Sequence, residues 1–252
     1  MLLVDGDFGR GTRNAVLTAR EQLGRPGPVE ADDEFQAAVA AFPDPCPPLT
    51  AAGVTFIARQ EVSDAVSYQQ RFQQPICPPA PSGVTIGIGY DCRFVNRQEL
   101  EADWGDLLPR SALDQLSGVL GKKGTQEMAA NVSAVMVPLH AAMRVFATRS
   151  LPKCLTETRR IYPQVDDPSV TPAQRTALVS LVYNRGTDLE GDRRAEMRTI
   201  RDLLASGRRD AVADQFDSMV RLWDPAKAGG LIRRRQAEAT LWRAGFAALQ
   251  LD

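Results

Sequence analysis

The sequence predicts a mainly α-helical protein with one small β-hairpin, an α+β fold in which a helical lobe accompanies the hairpin. Apolar residues recur at helical spacing over most of the chain after position 50, whereas apolar residues alternate strictly with small or polar ones only in residues 84–91. The 44% hydrophobic content is that of an ordinary globular protein. The formal net charge of -1 gives no overall field for a polyanion, so nucleic acid is not expected as a partner.

A proline-rich segment divides the chain. Four prolines between positions 43 and 48 cannot continue a helix or lie inside a sheet, so residues 43–49 are predicted to be a linker. Residues 1–42 are predicted to form a small helical module, and residues 50–252 a larger domain. Two short helices bury little surface, so the small module needs a further element or a neighbour to be stable.

The best-marked helix of the larger domain begins after Thr171. This threonine supplies an N-cap, Pro172 suits the first helical position, and Gln174 is placed to complete a capping box. Gly186 is expected to end the helix in a left-handed conformation. A buried apolar stripe between these ends predicts that it is the central core helix. Further breaks are predicted at residues 108–109, 121–124, 151–152, 163–172 and 229–230.

Glu61 is the first candidate for catalysis. A helix capped by Thr50 carries Val54 and Ile57 on one stripe, and Glu61 falls on the same stripe. Burial raises the pKa of a carboxyl, which is how a glutamic acid stays protonated near neutral pH and acts as a general acid. The alternative is that the helix frays before Glu61 and the side chain faces water.

The β segment contributes a hydroxyl and a carboxylate. On a straight strand Thr85 and Asp91 would lie roughly 20 Å apart. Gly87 and Gly89 permit a tight hairpin that returns Asp91 beside Thr85. These two groups facing a buried glutamate would supply the base and the water-positioning group that hydrolysis of a glycosidic bond requires beside an acid. A plain structural hairpin would explain the glycines without any catalytic role.

Three segments together resemble the phage-type lysozymes, a family of glycoside hydrolases that act as muramidases. Residues 83–91, Gly-Val-Thr-Ile-Gly-Ile-Gly-Tyr-Asp, resemble the catalytic hairpin, and the Tyr-Asp ending is most similar to the pesticin-like branch. Residues 177–186 resemble the core helix with its terminal Asn-x-Gly, and residues 230–238 resemble the C-terminal arginine helix. The resemblance extends from about Thr50 to Gly245 and implies a lysozyme-like α+β fold.

The resemblance also implies a role for each catalytic candidate. Glu61 would be the general acid, and Thr85 would position the attacking water. Asp91 would act on that water or stabilise positive charge. Its assignment depends on the pesticin-like order, in which the aspartate follows the threonine, and Asp64 is the fallback.

The expected substrate-binding residues lie in the hairpin, at the end of the core helix and in the arginine helix: Tyr90, Asn184, Arg185 and Arg234. Arg234 is expected to reach toward Glu61 and hold its carboxyl, while Arg233 and Arg235 need only be solvated. The implied substrate is the glycan strand of peptidoglycan, cleaved between N-acetylmuramic acid and N-acetylglucosamine. No cofactor or metal is implied.

Residues 4–12 resemble the signature of small peptidoglycan-binding domains, in which two glycine turns precede a helix; only three residues precede it, so the module is partial. No apolar run approaches the roughly 18 residues that span a membrane, and the N-terminus lacks the features of a signal peptide. We therefore expect a monomer made in the cytoplasm that acts in the periplasm or on the wall after export by another system. An endolysin, a bacteriocin and an injected effector all fit, with delivery machinery or an immunity protein as further partners.

Two other classes of protein remain open. A cysteine peptidase acting on peptidoglycan stems would pair Cys77 or Cys92 with His140, although His140 is predicted to be packed in a helix core. A non-catalytic wall-binding protein would keep the same residues without their active geometry. Cys46 and Cys77 are candidates for a disulfide in an oxidising compartment.

Residues 193–243 form a basic stretch, with 12 Lys and Arg against 7 Asp and Glu. Such a stretch is either a face for an anionic wall polymer or an ordinary solvated helix surface. The sequence leaves both interpretations open.

Overall fold

A computed structural model describes residues 48–63, 65–79 and 81–248; the predicted N-terminal module and most of the predicted linker lie outside them. Over these residues the protein is mainly helical with a two-stranded antiparallel sheet, which confirms the predicted fold class. The described chain divides into two compact units, residues 58–150 and residues 48–57 together with 151–248. No helix in the described part is long and apolar enough to cross a membrane.

Helix α1 (Ala51–Val62) contributes to both units, because the division follows Ile57. Thr50 caps it as predicted, its hydroxyl accepting a hydrogen bond from the Gly53 N–H at 3.2 Å. The helix continues through Glu61, so it does not fray before that residue. The predicted apolar stripe is buried: Val54, Ile57, Ala58 and Val62.

The first unit, residues 58–150, contains the hairpin and five short helices: α2 (Ala65–Arg71), α3 (Arg97–Trp104), α4 (Arg110–Ser117), α5 (Gln126–Asn131) and α6 (Leu139–Val145). A π-helical turn, Phe146–Ser150, follows α6. Trp104 and Tyr68 are fully buried in the core of this unit. The Tyr68 hydroxyl donates to the Val137 carbonyl at 2.9 Å, so its one polar atom is paired.

The hairpin consists of β1 (Thr85–Ile86) and β2 (Tyr90–Asp91), with Thr85 opposite Asp91. Gly87 and Gly89 form the turn with φ values of 57° and 72°, which confirms the expected use of glycine there. The backbone of Thr85 exchanges two hydrogen bonds with Ile76, at 2.8 and 2.9 Å, on the side away from β2. Thr85 and Asp91 are therefore a non-hydrogen-bonded pair, the kind whose side chains lie closer together.

The second unit contains five further helices: α7 (Leu151–Ile161), α8 (Pro172–Arg185), α9 (Ala195–Ala205), α10 (Val212–Ser218) and α11 (Pro225–Ala248). The capping box of Thr171 and Gln174 is present at the start of α8, as predicted. Helix α8 packs against α7 and α11 and is buried over most of its length, which confirms that it is a core helix. Gly53 allows α1 to approach α8 closely, because a Cβ there would lie 2.3 Å from Thr176 Oγ1.

Of three local predictions for the second unit, one is displaced by a residue and two need correction. The break predicted at residues 229–230 is present one residue earlier, as a kink within α11 at Ala228, with φ -136° and ψ 32°. The break predicted at residues 151–152 is wrong, since the chain passes directly from the π-helical turn into α7. Gly186 has the positive φ expected, 70°, but its ψ of -168° is outside the left-handed helical region.

Candidate active site

Glu61 lies in the last turn of α1 and is partly buried. The helix therefore holds this carboxyl at the edge of its apolar stripe, as the sequence suggested, while the role of general acid stays a prediction. Asp64, the fallback, lies outside the described residues. Before it, α1 ends at Val62 and Ser63 has a φ of 58°.

Thr85 and Asp91 are brought together by the hairpin register. Thr85 is 7% exposed, and its hydroxyl donates weakly to the Gly83 carbonyl at 3.4 Å. The Asp91 carboxylate accepts hydrogen bonds from the Gly83 N–H, at 3.0 and 3.2 Å, and from the Arg93 N–H at 2.9 Å. Asp91 thereby caps a short 3-10 helix, Cys92–Phe94, and its carboxylate is held in place by backbone donors.

Gly83 is a residue of this site that was not singled out from the sequence. A Cβ at this position would lie 2.6 Å from Asp91 Oδ1 and 2.6 Å from Arg93 Cβ. Only glycine lets the backbone N–H come close enough to bind the Asp91 carboxylate. The available signal was a glycine directly before an alternating β segment, where it marks a close backbone approach.

Tyr90 is buried within the first unit. Its hydroxyl donates to Asp103 Oδ2 at 2.8 Å, and its ring packs edge-on against Trp104 with centroids 5.4 Å apart. Burial, followed by the hydrogen bond to Asp103, raises the pKa of Tyr90. Arg149 pairs with the same aspartate at 2.8 Å. These contacts give Tyr90 a packing role, and substrate binding by Tyr90 stays a prediction.

Asn184 and Arg185 lie at the end of α8 in the second unit and line a cavity of about 610 Å³. Asn184 is exposed, and its amide oxygen accepts a hydrogen bond from Arg235 at 3.4 Å. The guanidinium of Arg185 lies over the ring of Trp223, 5.3 Å from its centroid. Trp223 was not predicted from the sequence, because an isolated tryptophan far along the chain gives no local signal of this contact.

The arginine helix is tied into the interior of the second unit. Arg234 donates to the Ser180 carbonyl at 3.0 Å and to Glu238 at 3.3 Å. Arg235, which was expected to be solvated, is fully buried and donates to Glu238 at 2.8 Å, so that expectation is wrong. Burial lowers the pKa of Arg235 to about 10 and raises that of Glu238, while the two arginines beside Glu238 act in the opposite direction. The approach of Arg234 to Glu61 stays a prediction.

The cysteine peptidase alternative finds no support at Cys92. Its thiol is buried, and burial, followed by the charge of Asp91, raises its pKa to about 12. A nucleophilic cysteine needs the thiolate, so this environment acts against catalysis. The predicted core position of His140 is wrong: it is exposed in the first turn of α6, whose buried residues are Ala141, Ala142 and Val145.

Cys77 is a free thiol that donates to the Pro78 carbonyl at 3.7 Å. Cys46 lies outside the described residues, so the disulfide between them stays a prediction. Among the described residues, no group of three His, Cys, Asp or Glu side chains is arranged to hold a metal ion.

Comparison with known proteins identifies the family. The model of the family described as "Phage lysozyme" matches residues 72–238, which include the hairpin, α8 and the first half of α11. Thr85 and Asp91 lie inside the matched range, and Glu61 precedes it. No curated protein matches the chain.

Proposed function

The chain belongs to the phage lysozyme family and is in that broad sense a peptidoglycan hydrolase, and we propose that it cleaves the β-1,4 bond between N-acetylmuramic acid and N-acetylglucosamine by general acid/base catalysis. The observation that carries the proposal is the hairpin register, which pairs Thr85 with Asp91 inside the matched range. Glu61 supplies the acid from the same unit, at the end of α1.

Each of the three side chains has a step to perform. Glu61 donates a proton to the leaving glycosidic oxygen, which removes the need to expel an alkoxide. Asp91, held by the backbone N–H groups of Gly83 and Arg93, acts on the attacking water or stabilises positive charge on the sugar. The buried hydroxyl of Thr85, next to Asp91 on the same hairpin face, orients that water. Asn184 and Arg185, which line the cavity of the second unit, bind substrate.

The experiment is digestion of purified peptidoglycan followed by mass spectrometry of the new ends. We expect reducing ends at N-acetylmuramic acid. New peptide amines would instead identify a peptidase, and a lack of products with retained sedimentation on wall material would identify a binding protein. Either of these outcomes contradicts the proposed activity.

The companion variant is Glu61→Gln, which removes the transferable proton and keeps the side-chain shape. We expect hydrolysis to fall by at least about 100-fold, with the thermal midpoint nearly unchanged or raised. Glu127→Gln is the matched control, because Glu127 is an exposed helical glutamate of the same unit. Full activity in Glu61→Gln would rule out Glu61 as the acid.

The biological setting is a further part of the proposal. A monomeric enzyme that reaches the wall through a holin, as a bacteriocin or through a secretion machine fits a peptidoglycan hydrolase. An immunity protein is a partner in the latter two cases. Expression inside a bacterial cell, with and without targeting to the periplasm, tests this: lysis is expected only when the protein reaches the wall.

A further inference from the structure

Phe94 is an aromatic side chain exposed beside the hairpin of the candidate active site. It is 66% exposed, the most of the three large hydrophobic side chains that are exposed among the described residues. A single exposed apolar residue is common in proteins, so its exposure gains meaning only from its place. Phe94 is the last residue of the 3-10 helix Cys92–Phe94, which Asp91 caps. Such a helix rises about 2.0 Å per residue, so Phe94 follows Asp91 by roughly 6 Å along the helix axis.

The side chain of Arg93 connects these two residues. A Cβ at Gly83 would lie 2.6 Å from Arg93 Cβ and 2.6 Å from Asp91 Oδ1, so the Arg93 stem passes beside the carboxylate. Its guanidinium donates to the Pro81 carbonyl and lies over the Phe94 ring, 5.2 Å from the ring centroid. One side chain therefore makes a continuous surface from the Asp91 carboxylate to the Phe94 ring.

The Phe94 ring is held in place and has one open face. The Arg93 guanidinium covers one face, and the exposure of the residue leaves the other face to solvent. The backbone of the 3-10 helix is fixed as well, because Asp91 caps it and the Cys92 carbonyl accepts the Gly121 N–H at 3.0 Å. A rigid surface loses little conformational entropy when a ligand binds to it. The arrangement is therefore suited to binding a flat partner with an apolar face.

We propose that the open face of Phe94 binds the apolar face of a sugar ring of the glycan strand, beside the bond that is cleaved at Asp91. The C–H groups of a pyranose ring lie on its faces and its hydroxyl groups at its rim, so one face complements an aromatic ring. The continuous surface from Asp91 to Phe94 favours the glycan as the occupant, because a strand bound at Asp91 extends beyond the cleaved bond. This inference rests on the proposed function, because it gives a further contact to the strand that the enzyme cleaves.

The first test measures the kinetics of Phe94→Ala on glycan strands from which an amidase has removed the peptide stems. A contact that is equally strong in the ground state and the transition state affects binding alone, so we expect KM to rise at least about fivefold and kcat to stay within about twofold. Phe94→Trp keeps an aromatic face and should restore the wild-type KM. Met136→Ala is the matched control, because Met136 is an exposed apolar residue of the same unit.

Two kinetic results overturn the inference. One is a wild-type KM in Phe94→Ala. The other is a KM in Phe94→Trp as high as that in Phe94→Ala, which would show that the aromatic face is not what the strand contacts. Because the Phe94 side chain is mostly exposed, its removal should leave the thermal midpoint close to that of the wild type.

The second test measures binding without catalysis, with every protein carrying Glu61→Gln. The same strands are titrated by calorimetry, and we expect Phe94→Ala to weaken binding at least about fivefold and Met136→Ala to leave it unchanged. In Phe94→Trp the added indole should shift its fluorescence to shorter wavelength when the strand saturates the protein. A parallel titration of the protein with Phe94 intact corrects for its own tryptophans, Trp104, Trp223 and Trp242.

The outcomes separate this inference from the proposed function. Equal binding by the proteins with Phe94 and with alanine, or no fluorescence shift at saturation, overturns the sugar contact even where the wild type releases reducing ends. Binding that depends on Phe94, without release of reducing ends by the wild type, instead overturns the muramidase and leaves the sugar contact standing.

Discussion

At the scale of single residues, Asp91 has a structural role in the hairpin, beside the catalytic role that we propose for it. Its oxygens accept backbone N–H groups of Gly83 and Arg93 at 2.9–3.2 Å, so the side chain is held in one orientation. A catalytic carboxylate also needs a fixed orientation. The structural role and the proposed catalytic role therefore both need the fixed side chain, but only the catalytic role needs its negative charge.

Two substitutions of Asp91 separate these roles. Asp91→Asn keeps an acceptor oxygen for the Arg93 N–H but removes the charge, so we expect stability within about 1 kcal/mol of wild type and hydrolysis reduced by at least about 100-fold. Asp91→Ala removes the cap as well and should cost about 1–2 kcal/mol. Urea unfolding and reducing-end release measure the two effects. Asp106→Asn, at an exposed aspartate of the same unit, is the control. Near-normal hydrolysis by Asp91→Asn would rule out a catalytic role for Asp91.

Cys92 is the residue for which burial makes the clearest chemical prediction. Because burial raises its pKa to about 12, the thiol is neutral and shielded at pH 8. We expect iodoacetamide at pH 8 to modify Cys77 of the native protein at least about ten times faster than Cys92, measured by peptide mass mapping. In urea the two rates should converge. Rapid modification of Cys92 in the native protein would contradict the burial of its thiol.

At the scale of elements, the hairpin turn depends on both the conformation and the size of Gly87. Its φ of 57° is unfavourable for any other residue, and a Cβ would lie 3.1 Å from Ala142 Cβ and from the Trp104 ring. The turn is therefore packed against α3 and α6 as well as being tightly bent. The distance between Thr85 and Asp91 depends on that packed turn.

Gly87→Ala is expected to lower the free energy of unfolding by about 2–4 kcal/mol, as the sum of backbone strain and crowding. Gly121→Ala is the control for strain alone, since Gly121 has a φ of 69° and no heavy atom lies within 4 Å of the place that its Cβ would occupy. It should cost about 1–2 kcal/mol. Both values come from urea midpoints, and equal losses would mean that the packing around Gly87 contributes nothing.

The pairing of α8 with α11 contains a second testable element, the buried carboxylate of Glu238. Its Oε1 accepts hydrogen bonds from Ser180 at 2.6 Å and from Arg235 at 2.8 Å, and both charged side chains have no exposed surface. Glu238→Gln would leave buried guanidinium charge uncompensated, so we expect a loss of about 3–5 kcal/mol. Asp217→Asn, which faces the half-exposed Arg243, should cost less than about 1 kcal/mol. Thermal unfolding measures both losses. Similar losses in the two variants would contradict the expectation that neutralising a buried carboxylate destabilises the protein more than neutralising an exposed one.

At the scale of the whole molecule, most of the fold and the hairpin could be predicted from local signals in the sequence. The cap at Thr171, the cap at Thr50 and the glycines of the turn each act within a few residues, so their effects could be predicted without tertiary structure. The hairpin register followed from the same local rule. The assignment of the fold class needed only these elements and the helical periodicity.

Features that depend on packing between distant segments could not be predicted in this way. Arg235 was expected to be solvated, and only the docking of α11 on α8 removes it and its partner Glu238 from water. The contact of Arg185 with Trp223 likewise joins positions far apart in sequence. His140 was misplaced for the opposite reason, since an apolar neighbourhood in sequence does not say which face of a short helix is covered.

The discontinuity of the second unit has a consequence for synthesis on the ribosome. The carbonyl of Pro48 accepts a hydrogen bond from Arg175, which is 127 residues later, and Gly53 packs against Thr176. The chain of the first unit, residues 58–150, emerges completely in the interval. Nascent protein must therefore carry Pro48 and Gly53 without these two partners until α8 has been translated, and during that interval chaperones and proteases compete for it.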